Sequence, residues 1–296
     1  MRHSQSQFRE GAGVTIERVG VIGGGLMGSG IAEVCARAGS SVVVHEIDAA
    51  AAEAARDRLA SSVERAAERG KLDAAEQEAI LGRVTFSTDL ADQGDRQLVI
   101  EAATENEDVK KRIFTDLDAV VPFDTILASN TSSIPITRLA AATGRPGKVV
   151  GLHFFNPVPV MALVELVTTV MTSRETTDAV RLYAESLGKN VIEAADRAGF
   201  IVNMLLVPYL IGAIRMLEAG VATREDIDAG MRLGANHPMG PLELSDFIGL
   251  DTMKHIADVL FDEYKEPFFA SPPLLTRMVE AGRLGRKTGR GFYDYG

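Results

Sequence analysis

Arg18-Val-Gly-Val-Ile-Gly-Gly-Gly-Leu-Met-Gly28 is the stretch that decides the fold. Residues 18–22 (RVGVI) form a short β-branched run with the length of a buried strand. The run enters Gly23-Gly24-Gly25-Leu26-Met27-Gly28, which fits G-x-G-x-x-G at Gly23, Gly25 and Gly28. Residues 26–38 carry small and apolar side chains at helical spacing and stop at Gly39, a helix terminator. A second apolar run, 41–44, ends at Glu46, 18 residues after Gly28. In such a strand–turn–helix–strand unit Gly23 takes the tight turn and Gly25 lets the backbone approach a pyrophosphate. Gly28 lets the helix pack closely on the strand, and the free N–H groups of the helix face the phosphates. Glu46 is placed to accept hydrogen bonds from an adenosine ribose. The unit predicts dinucleotide binding, with an ordinary glycine turn as the plainer alternative.

Outward from this unit, residues 49–68 read as a long helix capped by Asp48 and ended by Gly70, and Asp73-Ala-Ala-Glu76 is a capping box. At about 1.5 Å per residue the helix is about 30 Å long, more than a sheet crossover needs. Its basic end, Arg69-Gly70-Lys71, is either a solvated face or a seat for a phosphate-bearing substrate. Strands are expected at 83–86, 97–102, 124–128 and 149–152. The last two deliver Ser129-Asn-Thr-Ser-Ser133 and His153-Phe-Phe-Asn-Pro157 at ends where open α/β sheets bind ligands. Residues 162–168 and 190–194 extend the sheet. From 196 onward the pattern turns helical, with segments at 199–219, 225–233, 241–264 and 273–281. The predicted organisation is a disordered tail (1–15), a Rossmann-type, mostly parallel α/β domain (16–195) and an all-α domain (196–296).

The 296 residues suit about two domains, and 46% hydrophobic with 24% charged residues is the balance of a globular chain. A net charge of −10 argues against a nucleic-acid or acidic-membrane partner. The apolar run 204–214 has 11 residues, too short to span a bilayer, and the polar N-terminus lacks a signal-peptide core. A cytoplasmic location is expected. Cys35, the single cysteine, leaves no intramolecular disulfide and reads as a buried filler. No histidine–cysteine spacing suggests a metal.

His153 is the most informative of five histidines, because imidazole titrates near neutrality, as alcohol oxidation requires of its base. Glu165 follows 12 residues on, after a Pro-Val-Pro turn. A hairpin-like return brings its carboxylate to the imidazole, fixing the tautomer and stabilising the imidazolium. A hydrogen-bonded structural histidine is the alternative. Ser132 lacks a hydrolase elbow and is expected to donate to substrate instead.

Several motifs together resemble the L-3-hydroxyacyl-CoA dehydrogenases. They are Gly23-Gly-Gly-Leu-Met-Gly28, Ser129-Asn-Thr-Ser-Ser133, Gly151-Leu-His-Phe-Phe-Asn-Pro157 and Gly199-Phe-Ile-Val-Asn203. Pro238-Met-Gly-Pro-Leu-Glu-Leu244 and Gly285-Arg-Lys-Thr-Gly-Arg-Gly-Phe-Tyr293 complete the set. The resemblance runs in order from about residue 18 to 295, and points to the form without a fused hydratase. It implies a NAD-dependent oxidoreductase (NADP being less favoured) that interconverts 3-hydroxyacyl-CoA, such as 3-hydroxybutyryl-CoA, with the 3-ketoacyl thioester. It implies His153 as acid/base, Glu165 as its partner, and Ser132 and Asn203 as substrate-holding residues. Glu105, Lys110, Asn156 and Lys287 fall where the family meets the nicotinamide half of the cofactor, beyond the glycine cradle with Leu26 and Met27. Ser62 and Arg69 match its coenzyme A contacts. The ribose acid is commonly aspartate in the family, and Glu46 departs from that. The helix at 199–219 is apolar on more than one face, more than a domain of this size is expected to cover, which predicts a homodimer through the helical domain. Cover by the other helices of that domain is the alternative; the resemblance, whose members are usually dimeric, favours the dimer. A β-hydroxyacid dehydrogenase is one rival, but it uses a lysine base where Asn203 stands. A non-catalytic dinucleotide-binding relative is another, opposed by the intact His153, Glu165, Ser132 and Asn203.

Overall fold

Runs of Val, Ile and Leu too short and too apolar for an exposed surface become neighbouring strands in the computed structural model, which describes residues 15–296. The expected tail lies almost wholly outside the described residues. The strands are β1 (Arg18–Ile22), β2 (Ser41–His45), β3 (Val84–Ser87), β4 (Leu98–Glu101), β5 (Ile126–Ser129) and β6 (Val149–Phe154). β7 (Leu163–Thr168) and β8 (Asn190–Ala195) follow, and the eight stand in the order β3-β2-β1-β4-β5-β6-β7-β8. β3 through β6 are mutually parallel, and β7 returns antiparallel to β6. The strand order reverses beside β1, so the ends of β1 and β4 flank the switch point where open α/β sheets take ligands.

Helices cover the sheet as right-handed crossovers demand. They are α1 (Leu26–Arg37), α2 (Ala49–Glu68), α3 (Ala74–Gly82), α4 (Glu107–Val120), α5 (Ile136–Ala140) and α6 (Arg174–Ser186). Asp48 caps α2 by accepting from Ala51 N–H at 2.8 Å, and both arms of the Asp73–Glu76 capping box close at 2.8 Å. α6 joins β7 to β8. Its amphipathic 13 residues went unassigned in the sequence reading, overshadowed by the apolar strands on either side. The core of this unit packs Ile31, Val34 and Cys35 of α1, with Leu59 and Val63 of α2, on Val19, Val42 and Leu98.

The chain divides into two compact units. The first runs to Thr131 and resumes at Ile136–Glu193; the second is Ser132–Pro135 with Ala194–Gly296. The four residues 132–135, expected with the sheet, pack with the helical unit. That unit holds α7 (Val202–Glu218), α8 (Arg224–Gly234), α9 (Pro241–Ile248), α10 (Leu250–Tyr264) and α11 (Pro273–Glu280). The expected single helix over 241–264 is two helices. They break at Gly249, whose φ of 100° lies in the left-handed region that side-chain-bearing residues avoid. Val207, Leu210, Ile211 and Ile214 of α7 form the second core with Leu242, Met253, Leu260 and Leu275.

Candidate active site

The glycine turn is held by its own backbone and one carboxylate. Gly23 has φ 89° and donates to the His45 carbonyl at 2.9 Å. The Gly24 N–H donates to Glu46 Oε1 at 2.5 Å, and the Gly24 carbonyl accepts from Ser29 Oγ at 2.7 Å and from Arg58 at 3.1 Å. A Cβ on Gly28 would lie 1.7 Å from the Gly23 carbonyl oxygen, so no other residue fits. A Cβ on Gly25 would meet nothing within 4 Å. The protein itself does not require glycine there, and the open space beside the backbone suits an approaching pyrophosphate. α1 starts at Leu26 and Met27 with no side-chain cap and no acid in its first turn, which leaves its positive end for an anion. The cradle therefore fits a dinucleotide on its own geometry. Beside it, burial pulls the His45 pKa down, against the opposing pull of Glu46, Asp89 and Asp92.

One strand pair builds the candidate acid/base. In the β6–β7 register His153 stands directly opposite Glu165, as neighbours on one sheet face must. His153 Nδ1 and Glu165 Oε2 are 2.7 Å apart, with the glutamate fully buried and the imidazole 6% exposed. The Phe155 ring lies 4.6 Å from the imidazole centroid, and Asn130 Oδ1 accepts the Phe154 N–H at 2.9 Å, tying the end of β5 to β6. His153 is the fifth residue of β6 rather than a residue beyond it.

At the end of β4, Lys110 is 1% exposed and pairs with two carboxylates, Glu101 at 2.6 Å and Glu105 at 3.3 Å. Glu105 also accepts from Thr131. Asn156 is exposed in the turn after β6. Ser62 of α2 lines a cavity of about 360 Å³ together with Arg58 and Arg65, two basic residues the sequence reading did not single out. Arg69 sits exposed at the end of α2 and does not line it. In the helical unit, Ser132 lies in the 132–135 segment and Asn203 in the first turn of α7. Lys287 is in that unit too, ion-paired at 2.6 Å with Asp251 in the first turn of α10. Glu101 was missed altogether; an acid closing the apolar run Leu-Val-Ile-Glu was the signal that a buried charge needed partners.

Fold and cradle together define a class: a two-unit protein whose sheet unit is built to hold a dinucleotide. Residues 18–197 match the family described as 3-hydroxyacyl-CoA dehydrogenase, NAD binding domain, and residues 199–295 match its C-terminal domain. A 3-hydroxybutyryl-CoA dehydrogenase of Mycobacterium tuberculosis is 58% identical over 282 residues, covering 95% of this chain and 99% of the relative. The crystal structure of M. tuberculosis FadB2 superposes with a TM-score of 0.94 at 58% identity, covering 95% and 99% of the two chains. That of (S)-3-hydroxybutyryl-CoA dehydrogenase PaaH1 from Ralstonia eutropha gives 0.92 at 47% identity, covering 95% and 100%. The chain belongs to the 3-hydroxyacyl-CoA dehydrogenase family, and is an oxidoreductase that works with a nicotinamide dinucleotide.

Proposed function

We propose that the protein interconverts an L-3-hydroxyacyl-CoA, foremost 3-hydroxybutyryl-CoA, with its 3-ketoacyl thioester, using NAD in preference to NADP. The observation that carries this reading is the buried 2.7 Å contact between His153 Nδ1 and Glu165. With Nδ1 directed at a carboxylate, Nε2 is the ring nitrogen that exchanges a proton with substrate. In oxidation His153 takes the proton of the 3-hydroxyl, and Glu165 stabilises the imidazolium that results. In reduction the same imidazolium returns the proton to the 3-oxo oxygen. A bound nicotinamide dinucleotide supplies the hydride acceptor for C3 and, in reverse, the hydride.

Ser132 and Asn203 hold the thioester. Glu105, Lys110, Asn156 and Lys287 serve the nicotinamide half of the cofactor, and Glu46 the adenosine ribose. Ser62 and Arg69 meet the coenzyme A moiety, and the Arg58 and Arg65 beside Ser62 supply the local positive charge that a chain of net charge −10 needs for a phosphorylated substrate. Support for the substrate comes from the names of the similar proteins, which act on 3-hydroxybutyryl-CoA. The test is NADH consumption with acetoacetyl-CoA against free acetoacetate. Turnover of the thioester alone is expected. Equal turnover of the free acid would remove the coenzyme A assignment, and turnover of neither would remove the activity.

A further inference from the structure

Lys189 stands immediately before β8 and is 8% exposed. Burial, with the nearby Arg37 guanidinium adding to it, pulls its pKa below the ordinary lysine value. An ammonium withdrawn from water in this way needs close acceptors. It has two, both in the connection between β6 and β7. Its Nζ donates to the Val158 carbonyl at 2.6 Å and to the Met161 carbonyl at 2.8 Å. The N–H of the following residue, Asn190, donates to the Ala162 carbonyl at 2.7 Å. Within the connection, the Val160 and Met161 N–H groups both donate to the Pro157 carbonyl at 2.9 Å. On its other side the connection rests against α1: Val158 is buried, and a Cβ on Gly30 would lie 2.9 Å from the Val158 Cβ. Asn156 lies two residues before Val158 and two after Phe154, the last residue of β6.

We propose that Lys189 is a positioning residue for the nicotinamide: by tying both ends of the Val158–Met161 stretch to the start of β8, it holds Asn156 where the ring is met. The inference rests on the reading that Asn156 serves the nicotinamide half of the cofactor and the glycine turn its pyrophosphate. Lys189 acts through Asn156 rather than on the reacting atoms. Hydrogen bonds from an ammonium are of the stronger, charge-assisted kind, so two of them hold the connection in one arrangement between β6 and α1. Without the ammonium, the Val158 and Met161 carbonyls lose that donor and turn toward water, and Asn156 moves with them. The glycine turn lies outside this connection and keeps its own bonds to His45, Glu46 and Ser29.

The experiment is calorimetric titration of NADH, and of ADP-ribose, which lacks the nicotinamide, into the wild type, Lys189→Met, Asn156→Ala and the double variant. Lys189→Met should raise Kd for NADH about fivefold, the size of one lost hydrogen bond, and leave Kd for ADP-ribose within about twofold of wild type. Asn156→Ala should do the same. Adding Lys189→Met to it should then change Kd for NADH by less than about twofold, because the residue through which the lysine acts is already gone. A merely structural lysine would lower Tm and either leave both affinities alone or weaken both ligands together, and its effect would add to that of Asn156→Ala. Any of these three binding results overturns the proposal. If Lys189→Met does not fold, Lys189→Gln, shorter and uncharged, decides by the same two affinities: selective loss of NADH supports the proposal, and an equal change or none overturns it. An Asn156→Ala protein that binds NADH as the wild type does would remove the nicotinamide role of Asn156, and this inference with it. Failure of Lys189→Met beside an Asn156→Ala that weakens NADH sinks only the inference.

Discussion

In the proposed mechanism the two nitrogens of His153 have separate tasks, and the separation makes the residue testable. Nδ1 is committed to Glu165 at 2.7 Å, so removing the imidazole removes proton transfer while leaving the glycine cradle untouched. His153→Ala should lower kcat by at least about a hundredfold with NADH affinity near that of the wild type. Glu165→Gln should lower kcat by at least about tenfold, because a neutral amide stabilises imidazolium poorly. Steady-state kinetics with acetoacetyl-CoA, beside NADH titration, checks both, and a His153→Ala enzyme of near-normal kcat would refute the assignment. Glu46 carries the second residue-scale expectation. Its Oε1 accepts the Gly24 N–H at 2.5 Å, which holds the carboxylate against the glycine turn, and in the proposed ribose role that carboxylate would meet the 2′-phosphate of NADP. Like charges about 4 Å apart repel by roughly 1 to 4 kcal/mol, so kcat/KM should favour NAD over NADP by at least about tenfold. Glu46→Ser should narrow that gap; equal efficiencies in the wild type would take the ribose role from Glu46. His153 and Glu165 were legible because a short turn between two strands puts residues 12 apart face to face. Glu101 was not, because its donors come from positions 2, 9 and 28 residues away that only the folded sheet and α4 bring together.

At the scale of elements, two buried aspartates organise the end of the chain. Asp228 of α8 accepts from the Leu242 and Glu243 N–H groups at the start of α9, at 2.8 and 3.0 Å, and from the Tyr293 hydroxyl at 2.9 Å. Asp246 of α9 accepts from the Phe292 and Tyr293 N–H groups, both at 2.9 Å, and from the Tyr295 hydroxyl at 3.0 Å. Gly285 and Gly291 lie so close to Asp246 that a Cβ on either would overlap it, at 2.2 and 2.0 Å. The Gly285-Arg-Lys-Thr-Gly-Arg-Gly-Phe-Tyr293 motif is thus a strap pinned to α9, and it carries Lys287 to Asp251. Asp246→Asn keeps the shape but offers one acceptor where the strap needs two, leaving a buried N–H unpaired. That should cost about 1 to 3 kcal/mol. Thermal unfolding should register it as a lower Tm, and an unchanged Tm would mean the strap is held by its aromatic contacts instead. Sequence patterning found the helices of this unit but fused α9 with α10. Hydrophobic periodicity runs through 241–264 without interruption, and the break depends on the backbone angle of one glycine.

At the scale of the molecule, the apolar circumference of α7 has a consequence for assembly. The helices around it bury Val207, Leu210, Ile211 and Ile214, so part of the surface that the sequence left uncovered is covered within the same unit. The rest is not. Leu205 is 72% exposed, Phe268 48% and Met216 44%. Leu205 and Phe268 rim a recess of about 600 Å³ with Met204, Pro208 and Tyr264. Large side chains clustered around an open apolar recess are unusual on an isolated soluble chain. A two-fold axis through such a patch covers it with its own copy, the commonest way to bury one. We propose a homodimer formed through the helical unit, a state that the family resemblance also implies. Light scattering at micromolar concentration should give about twice the chain mass of 31.7 kDa. Leu205→Glu, which would put two carboxylates against an apolar partner surface, should shift the mass toward one chain. A wild-type monomer that stays fully active on dilution would reject the dimer. A Leu205→Glu protein that remains dimeric would move the interface away from α7, and the exposed apolar residues there would need another explanation.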